Sequence, residues 1–336
     1  MRFPAFTCAI CVRILIWKWY QNFCICLHEY SSCVIMGILR VLFVKKNGRL
    51  NQDGGNGVRL GIVIHGRRPD AMAAAHHAVA QLASCGAQVL VEDEVLAAFA
   101  SGSVTSLNAP DARADVILSL GGDGTLLRGA QYALSWDAAL LGVNLGRVGF
   151  LAEGEADALP KLLDKVIRGD YETERRAVLS VQMNGQSWYA INDVVMSRGG
   201  YARLITVTAL VDGELAGHYI ADGLVVATPT GSTGYSLSAG GPIISPKVDC
   251  MVLTPICAHS LQHRPTVVQG SAQIRLLLGS DAPQSACLQV DGQTYAQLDD
   301  GAVVEISRAD RTLQLIRTSD QPFFNLVREK LTEWTR

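Results

Sequence analysis

Five consecutive residues in the first half of the chain have the composition of a phosphate-binding turn. The run Gly121-Gly122-Asp123-Gly124-Thr125 follows the apolar segment 115–120, which predicts a buried strand, and precedes a helical pattern. Glycines let the backbone approach a phosphate closely and point N–H groups at it, and the following helix adds its positive end. Asp123 is the only carboxylate of the turn, and an anion beside a phosphate is useful only if it accepts a proton or holds a cation. The structural alternative is an ordinary Gly-rich turn in which Asp123 caps the helix.

The sequence lacks three motifs that mark other nucleotide-binding and hydrolytic sites. It contains no G-x-x-x-x-G-K-[ST] run, no G-x-G-x-x-G run after a predicted strand and no G-x-S-x-G run. These absences argue against a P-loop enzyme, an ordinary Rossmann enzyme and an α/β-hydrolase. His259 and His263 have an i, i+4 spacing, but Pro255 and the surrounding turn residues argue against a zinc-binding helix.

A second group of polar residues lies in a loop rich in hydroxyl groups and glycines. The block 222–242 begins with a predicted strand and runs into Thr228-Pro229-Thr230-Gly231-Ser232-Thr233-Gly234-Tyr235-Ser236-Leu237-Ser238. Such a loop suits hydrogen bonding to a polar ligand, and Tyr235 offers an aromatic face for a base. The alternative is a loop in which these residues only form turns. Between the two groups, Asn192 and Asp193 interrupt an apolar strand, and their polar groups need partners in the protein or in a ligand.

The elements that position these residues begin at residue 59 with a strand, helix, strand order typical of a βαβ unit. A Gly-rich turn at the carboxyl end of a parallel strand is where open α/β sheets bind ligands. We therefore predict a Rossmann-like α/β domain over residues 58–168 that carries the glycine turn. Its predicted strands are residues 60–64, 88–91, 115–120 and 140–144, and its predicted helices are residues 70–84, 126–136 and 157–168.

Beyond residue 168 the pattern changes to short apolar segments separated by turn residues. Strands without long helices between them predict a β-sandwich-like domain, which we place at residues 169–320. Its predicted strands are residues 179–183, 188–196, 204–211, 224–227, 274–278, 288–290, 303–306 and 313–316. Residues 321–336 have a helical pattern, and we expect this segment to pack back on the α/β domain.

Composition favours a small-molecule partner over a nucleic acid or a membrane. The 336 residues are 49% hydrophobic and 18% charged with a formal net charge of −2, which fits two domains with real cores and provides no basic footprint. Five of the nine cysteines lie in the first 33 residues and the others are scattered, which is typical of a reduced, cytoplasmic protein. The uncharged runs of residues 1–35 are too short for a membrane-spanning helix. We expect this segment to be a leader that is disordered or precedes a true start at Met36.

Taken together, the motifs resemble those of the NAD kinases. The glycine turn, the run Asn144-Leu145-Gly146-Arg147-Val148-Gly149-Phe150-Leu151, the Asn192-Asp193 pair and the block 222–242 occur in the order seen in that family. The resemblance covers roughly residues 58–330. The glycine turn alone is shared with diacylglycerol and sphingosine kinases and with phosphofructokinases, whereas the Thr228–Thr233 run resembles NAD kinases in particular.

The resemblance implies a fold, a reaction and a set of site residues. The fold would be an α/β Rossmann-like domain followed by a β-sandwich-like domain, as in the NAD kinase and diacylglycerol kinase fold. The reaction would transfer the terminal phosphoryl group of ATP to the 2′-hydroxyl of the adenosine ribose of NAD, with Asp123 as the catalytic base. The residues of the ATP phosphate loop would be Gly121, Gly122, Gly124 and Thr125. The residues that bind NAD would be Asp123, Gly124, Arg128, Asn192, Asp193, Arg203, Asp222, Thr233, Gly234, Tyr235, Ser236, Leu237, Ser238 and Gln293.

The family also implies the partners of the site. Mg²⁺, or another divalent cation, would arrive with ATP rather than sit in a protein cage. Arg203 would reach NAD from the partner subunit of a homodimer or homotetramer in the cytoplasm, with no nucleic acid or membrane involved. Whether polyphosphate replaces ATP, and whether NADH is accepted, stays open.

Two positions depart from the family pattern, and two other functions compete with this one. Gly234 stands where Ala is usual, which would loosen the loop, and Ile220 replaces a residue that is more often polar. A lipid kinase would share the glycine turn, but it would need a lipid-accepting surface. A dinucleotide sensor without activity is the other alternative, and the presence of Asp123 argues against it.

Overall fold

The computed structural model describes residues 58–66, 68–146, 149–200, 203–279, 286–318 and 322–333. The expected leader at residues 1–35 lies outside these ranges, as do Arg147 and Val148 of the second glycine-containing loop. None of the helices in the described ranges combines the length and hydropathy that a bilayer-spanning segment needs.

The chain alternates strands and helices up to residue 168 and is mostly strands after it. The strands are β1 (Arg59–Ile64), β2 (Gln88–Val91), β3 (Thr105–Ser106), β4 (Val116–Gly121), β5 (Ala139–Asn144), β6 (Gly154–Glu155), β7 (Glu172–Arg176), β8 (Leu179–Met183), β9 (Gln186–Ala190), β10 (Asp193–Arg198), β11 (Ile205–Val211), β12 (Glu214–Ala221), β13 (Gly223–Ala227), β14 (Cys250–Ile256), β15 (Thr266–Gln269), β16 (Ile274–Leu278), β17 (Ala286–Val290), β18 (Gln293–Leu298), β19 (Val303–Arg308) and β20 (Leu313–Arg317). The α-helices are α1 (Pro69–Ser84), α2 (Asp93–Leu96), α3 (Asp123–Trp136), α4 (Leu159–Arg168), α5 (Tyr235–Ser238) and α6 (Phe323–Glu333).

The first sheet carries the glycine turn at the carboxyl end of one of its central strands. It has eight strands in the order β3-β2-β1-β4-β5-β20-β7, with β6 paired to β5. All pairs are parallel except β7 with β20. Side chains of α1 and α4 pack on one face of the sheet and those of α3 on the other, which explains why β4 is buried along its whole length. The predicted α/β architecture is confirmed.

Two strands of this sheet come from beyond the boundary that the sequence predicted. The prediction ended the α/β domain at residue 168 and gave residues 313–316 to the β-rich domain, whereas β7 and β20 both belong to the first sheet. The reason is that β5 would otherwise leave backbone groups unpaired on its outer edge. β20 pairs with this edge, with Leu315 opposite Leu140. Leu313 and Leu315 pack with the residues under α3, and Ile316 packs with the core on the other face.

The β-rich part is a sandwich of two antiparallel sheets, as predicted. The sheets have six strands each, in the orders β15-β14-β13-β10-β17-β18 and β12-β11-β16-β19-β8-β9. Their facing side chains form one core, to which Val194 and Leu288 contribute from one sheet and Val207 and Leu276 from the other. Burial alternates along β11, as expected for a strand with one face in the core.

We predict that Leu315→Ala destabilises the protein by about 2–5 kcal/mol, because it leaves a cavity between β20, β5 and α3. Leu315 is 1% exposed. The control is Leu261→Ala, at a side chain that is 85% exposed, and it should change the free energy of unfolding by less than about 0.5 kcal/mol. Urea denaturation measures both. Equal, small effects would mean that β20 is only loosely attached to the first sheet.

Candidate functional site

The glycine turn connects β4 to α3 and has space on its outer side. Gly122 is the N-cap of α3 in extended backbone, and Asp123 is the first helical residue. A Cβ on Gly121 would lie 2.4 Å from the Thr125 hydroxyl oxygen, so this glycine is needed for packing inside the protein. A Cβ on Gly122 or Gly124 would meet nothing within 4 Å. The turn is therefore open beside Gly122 and Gly124, close to the N-terminus of α3, where an anion is favoured.

The carboxyl group of Asp123 does not cap α3 but packs under the second glycine-containing loop. No side-chain cap is formed at this helix end, and Oδ2 of Asp123 instead accepts a hydrogen bond from the backbone N–H of Phe150 at 3.4 Å. A Cβ on Gly149 would lie 1.9 Å from Oδ1, so only glycine leaves room for the carboxyl group. Oδ1 is buried and has no hydrogen-bond partner among the described residues. A buried acceptor without a donor is costly in a folded protein and marks a candidate ligand contact.

The protonation of Asp123 is set by opposing influences. Burial raises the pKa of its carboxyl group, whereas the backbone N–H groups of Phe150 and Leu151 and the positive charge of Lys330 lower it. Lys330 lies on α6 and is 4% exposed. Because the charge of Lys330 acts on Asp123, helix α6 contributes to the electrostatic environment of the glycine turn.

Arg128, one turn further along α3, is already engaged by the protein. Its Nε and Nη2 atoms bind both carboxylate oxygens of Glu92 at 2.7 and 3.0 Å, and Nη2 also donates to the backbone carbonyl of Ile64 at 2.5 Å. Glu92 follows β2 and is buried. The sequence predicted a contact of Arg128 with NAD, and the structure shows that most of this guanidinium holds α3 against β1 and β2.

The Asn192–Asp193 pair lies where β10 begins, and the neighbouring loop fixes its backbone. The carbonyl of Ile191 accepts a hydrogen bond from the Thr228 hydroxyl at 2.6 Å, and the carbonyl of Asn192 accepts one from the Thr228 N–H at 2.9 Å. A Cβ on Gly231 would lie 2.0 Å from the Asn192 carbonyl oxygen. Only glycine at position 231 therefore lets the Thr228–Gly231 segment pack this closely against the backbone of residue 192.

Asp291 holds the same backbone from the other side. Its carboxylate accepts hydrogen bonds from the backbone N–H groups of Ile191, Asn192 and Asp193 at 2.8, 2.7 and 3.2 Å. In return, the N–H of Asp291 donates to the carbonyl of Asp193 at 2.9 Å. Burial raises the pKa of Asp291, and the three N–H groups lower it, with the net direction upward.

A cavity of about 310 Å³ opens between α3, α5 and the start of β10. The residues that line it are Leu127, Asn192, Asp193, Val195, Tyr235, Gln289, Asp291 and Gly292. Tyr235 is 43% exposed and Asp193 only 5%. Burial, and then the negative charge of Asp291, raise the pKa of Asp193 to about 7. The cavity thus combines an aromatic ring, an amide and a carboxyl group that changes charge near neutral pH.

Most hydroxyl groups of the loop have hydrogen-bond partners within the protein. Ser232 binds the backbone of Pro229 and Ile244, Thr233 donates to the carbonyl of Thr230, and Ser236 shares a hydrogen bond with Thr254. All of these hydroxyl residues are buried. These side chains have hydrogen-bond partners within the protein, and a direct contact of Thr233 or Ser236 with a ligand stays a prediction.

The remaining loop positions have more freedom. Leu237 is partly buried and Ser238 is exposed. A Cβ on Gly234 would lie 3.3 Å from the Gly231 carbonyl oxygen and 3.8 Å from Oδ2 of Asp193. The φ of Gly234 is −95°, so alanine fits here with a small adjustment, and the glycine widens the cavity beside Asp193.

Of the fourteen predicted NAD contacts, Asn192, Asp193 and Tyr235 line this cavity and the other eleven do not, among them Asp222, Arg203 and Gln293. Asp222 pairs with Arg198, with 2.6 Å between Oδ1 and Nε. Arg203 is exposed ahead of β11. Gln293 begins β18 and accepts a hydrogen bond from the Tyr295 hydroxyl at 3.2 Å. Ile220 on β12 is 49% exposed, as its alternation with buried Tyr219 and Ala221 requires.

Sequence reasoning did not assign a role to Asp291, Gly149, Lys330 or Glu92. Asp291 precedes Gly292, and an Asp-Gly pair is a signal for a hairpin turn but not for a carboxylate that binds a strand 100 residues earlier in the sequence. Gly149 was part of a motif, but its contact with Asp123 joins loops from two neighbouring strands. Lys330 lies on a helix that periodicity predicts, and its proximity to Asp123 depends on the tertiary fold.

The chain matches two family models and many curated relatives. Residues 60–171 match the ATP-NAD kinase N-terminal domain, and residues 191–318 match the ATP-NAD kinase C-terminal domain. The NAD kinase of Moorella thermoacetica is 39% identical over 279 residues, which cover 82% of this chain and 89% of that protein. The NAD kinase of Gemmatimonas aurantiaca is 43% identical over 227 residues, covering 66% of this chain and 78% of the relative.

Two solved structures resemble the fold. Yeast NADH kinase complexed with NADH has a TM-score of 0.72 and 27% identity and covers 83% of this chain and 88% of its own. An NAD kinase from Archaeoglobus fulgidus in complex with ATP has a TM-score of 0.64 and 26% identity and covers 82% of this chain and 99% of its own.

We predict that Asp193→Asn raises the melting temperature more at pH 8 than at pH 5. The pKa of Asp193 in the folded protein is about 7 against an ordinary value of 3.8, so its stabilising contribution is complete below pH 3.8 and is lost as pH rises towards 7. Asparagine does not ionise. The difference between variant and wild type should grow by on the order of 2 kcal/mol between pH 5 and pH 8, or several degrees in thermal denaturation. A difference that is constant across this pH range would contradict the assignment.

Proposed function

The chain belongs to the NAD kinase family, whose members use ATP to phosphorylate NAD to NADP, and we propose that Asp123 is the base of this reaction. The observation that carries the proposal is the buried Oδ1 atom of Asp123, which has no partner among the described residues. Asp123 is the first residue of α3 and lies between Gly122 and Gly124, which leave the outer side of the turn open. A carboxylate placed in this way can accept a proton from a hydroxyl group brought against it.

The proposed step is a direct phosphoryl transfer. The 2′-oxygen of the adenosine ribose forms a bond to the γ-phosphorus of ATP, the bond from that phosphorus to the β–γ bridging oxygen breaks, and ADP leaves. The proton of the 2′-hydroxyl passes to Oδ1 of Asp123. The raised pKa of Asp123 supports this role, because a stronger base takes up the proton more readily. Positioning and neutralisation of phosphate charge supply most of the remaining acceleration.

We propose that the triphosphate of ATP binds along the glycine turn. The N–H groups at the start of α3 and the positive end of that helix favour an anion there. The open space beside Gly122 and Gly124 supports this placement, while Gly121 and Thr125 shape the turn from inside. The structural similarity to an NAD kinase from Archaeoglobus fulgidus in complex with ATP supports a nucleoside triphosphate as the phosphoryl donor.

The divalent cation is proposed to enter as part of the ATP substrate. In the ranges that the structure describes, no group of three or more His, Cys, Asp and Glu side chains could hold a metal ion. Mg²⁺ commonly keeps several waters and binds through substrate phosphates with one or two carboxylates. When bound to ATP it neutralises the charge that develops on the phosphates.

We propose that the adenosine half of NAD occupies the cavity beside Asp193. Tyr235 offers its ring to the base, Asn192 offers an amide and Asp193 offers an acceptor for ribose or base donors. Thr233, Ser236 and the Thr228–Gly231 segment act indirectly, because they fix the loop that carries Tyr235. Arg128 retains one Nη atom beyond its bonds to Glu92 and Ile64 for a ligand contact.

The assembly and the location are also proposed. Exposed Arg203 could complete the NAD site of another subunit in a homodimer or homotetramer, and it lies beside exposed Leu204. Asp222 and Gln293 stay predicted NAD contacts outside the lining of the cavity beside Asp193. The four cysteines in the described ranges are free thiols, which supports a reducing, cytoplasmic location. A net charge of −2 provides no basic footprint for nucleic acid or an anionic membrane, which supports small molecules as the partners.

The test is NADP formation by the purified protein from NAD, ATP and Mg²⁺, compared with that of Asp123→Asn. Asparagine keeps the size of the side chain but lacks a basic oxygen, so kcat should fall by about 10²–10⁴ while the Kd for NAD changes little. Calorimetry measures Kd, and a coupled dehydrogenase assay measures NADP. If the variant keeps near-normal kcat, Asp123 is not the base. If the wild type makes no NADP, this chain lacks the activity of its family.

A further inference from the structure

The carboxylate of Asp291 binds three successive backbone N–H groups next to the cavity. The donors are Ile191, Asn192 and Asp193, at 2.7–3.2 Å. Asp291 itself has a φ of +49° and Gly292 a φ of +77°, so the turn between β17 and β18 is left-handed at both positions. This turn aims the carboxylate back at a strand that precedes it by about 100 residues in sequence.

These bonds control the part of the chain that carries Asn192 and Asp193. Thr228 holds the carbonyl groups of residues 191 and 192, and Asp291 holds the N–H groups of residues 191 to 193. The backbone is thus restrained on both of its polar sides. A change of Asp291 would release one side and leave three N–H groups without their acceptor, which a buried site tolerates poorly.

Asp291 also places a second carboxyl group beside Asp193. Both residues line the same cavity, and a carboxylate oxygen of Asp291 lies 3.2 Å from the backbone nitrogen of Asp193. No hydrogen bond from a described residue reaches the carboxyl group of Asp193, whereas Asp291 has its three donors. Of two neighbouring carboxyl groups, the one without donors is the one that takes up a proton first.

On the basis of the proposed NAD site, we propose that Asp291 is a positioning residue for NAD: it fixes the Asn192–Asp193 backbone and, through its charge beside Asp193, makes NAD binding depend on pH near neutrality. Only the ionised form of Asp193 offers two acceptor oxygens to the hydroxyl and amino groups of the nucleotide. As pH falls and Asp193 becomes protonated, NAD binds more weakly.

The other groups that face Asp193 do not titrate in the same range. Tyr235 on α5 has a pKa raised above its ordinary value of 10, by burial and by the charges of Cys257, Asp222 and Asp193. From α3 the cavity receives Leu127, and from β10 and β17 it receives Val195 and Gln289, none of which ionises. The described lining therefore contains no cation that would offset the charge of Asp291.

The experiment measures the Kd for NAD by calorimetry between pH 5.5 and pH 8.5 in the full-length protein. ATP is omitted, so that titration of its terminal phosphate does not enter. The wild type should show a constant Kd at high pH and a rising Kd below a midpoint near 7. In Asp291→Asn the Kd at pH 8.5 should rise about 5- to 50-fold, and the midpoint should move to lower pH by at least about half a unit.

Asp212→Asn is the matched control. Asp212 has a φ of +52°, precedes Gly213 in the same kind of left-handed Asp-Gly turn, and accepts the backbone N–H of Gln273 at 2.8 Å. Its hairpin between β11 and β12 contributes no residue to the lining of the cavity. The control variant should keep both the Kd and the midpoint of the wild type.

Two further variants keep the proposal open to refutation if Asp291→Asn does not fold. Asp291→Glu keeps the charge, so its Kd should rise while the midpoint stays near that of the wild type. Asp193→Asn should give a Kd that is the same across the pH range. A midpoint that persists in Asp193→Asn, or that is unmoved in folded Asp291→Asn, overturns the proposal. Wild-type binding without any pH midpoint also overturns it, whereas a protein that makes no NADP would instead refute the proposed function.

Discussion

The carboxyl group of Asp123 occupies the space that a side chain on residue 149 would fill, and the glycine turn depends on that contact. Oδ1 lies so close to the Gly149 backbone that a Cβ there would overlap it at 1.9 Å. The turn after β4 and the loop after β5 are therefore packed together at the carboxyl edge of the sheet, where parallel strands bring consecutive loops side by side. Burial by this loop, with Lys330 of α6 nearby, gives Asp123 an environment that differs from that of a solvated carboxylate.

The second half of the site is held by backbone contacts more than by side chains aimed at a ligand. Thr228 and Asp291 restrain the strand entry that carries Asn192 and Asp193, and Gly231 lets the hydroxyl-rich loop pass over it. This arrangement places the poorly solvated carboxyl group of Asp193 at the cavity wall. Its ionisation lowers the free energy of unfolding. Sites that bind polar ligands commonly keep such groups because the ligand supplies the missing partners.

Local patterns in the sequence were sufficient for much of the fold. Apolar runs and turn residues predicted the parallel strands, the start of the sandwich and the position of the glycine turn, because these depend on periodicity and backbone freedom over a few residues. The place of β20 in the first sheet could not be predicted in this way, since its pairing with β5 joins residues more than 170 positions apart. The hydrogen-bond partners of Arg128, Ser236 and Asp291 are also distant in sequence. Local patterns therefore could not show that these polar side chains bind other parts of the protein.

The most direct test of the Asp123–Gly149 contact is a double-mutant cycle on the rate of phosphoryl transfer. Gly149→Ala should displace the Asp123 carboxyl group and lower kcat at least about 10²-fold, with little change in the Kd for NAD. Gly146→Ala, in the same loop, meets the guanidinium group of Arg68 at 3.3 Å and not the Asp123 carboxyl group, so it should have a much smaller effect on kcat. Added to Asp123→Asn, Gly149→Ala should cause almost no further loss, because both changes remove the same group from its position. Independent, multiplying losses in the double variant, or a Gly149→Ala protein with wild-type kcat, would contradict the account.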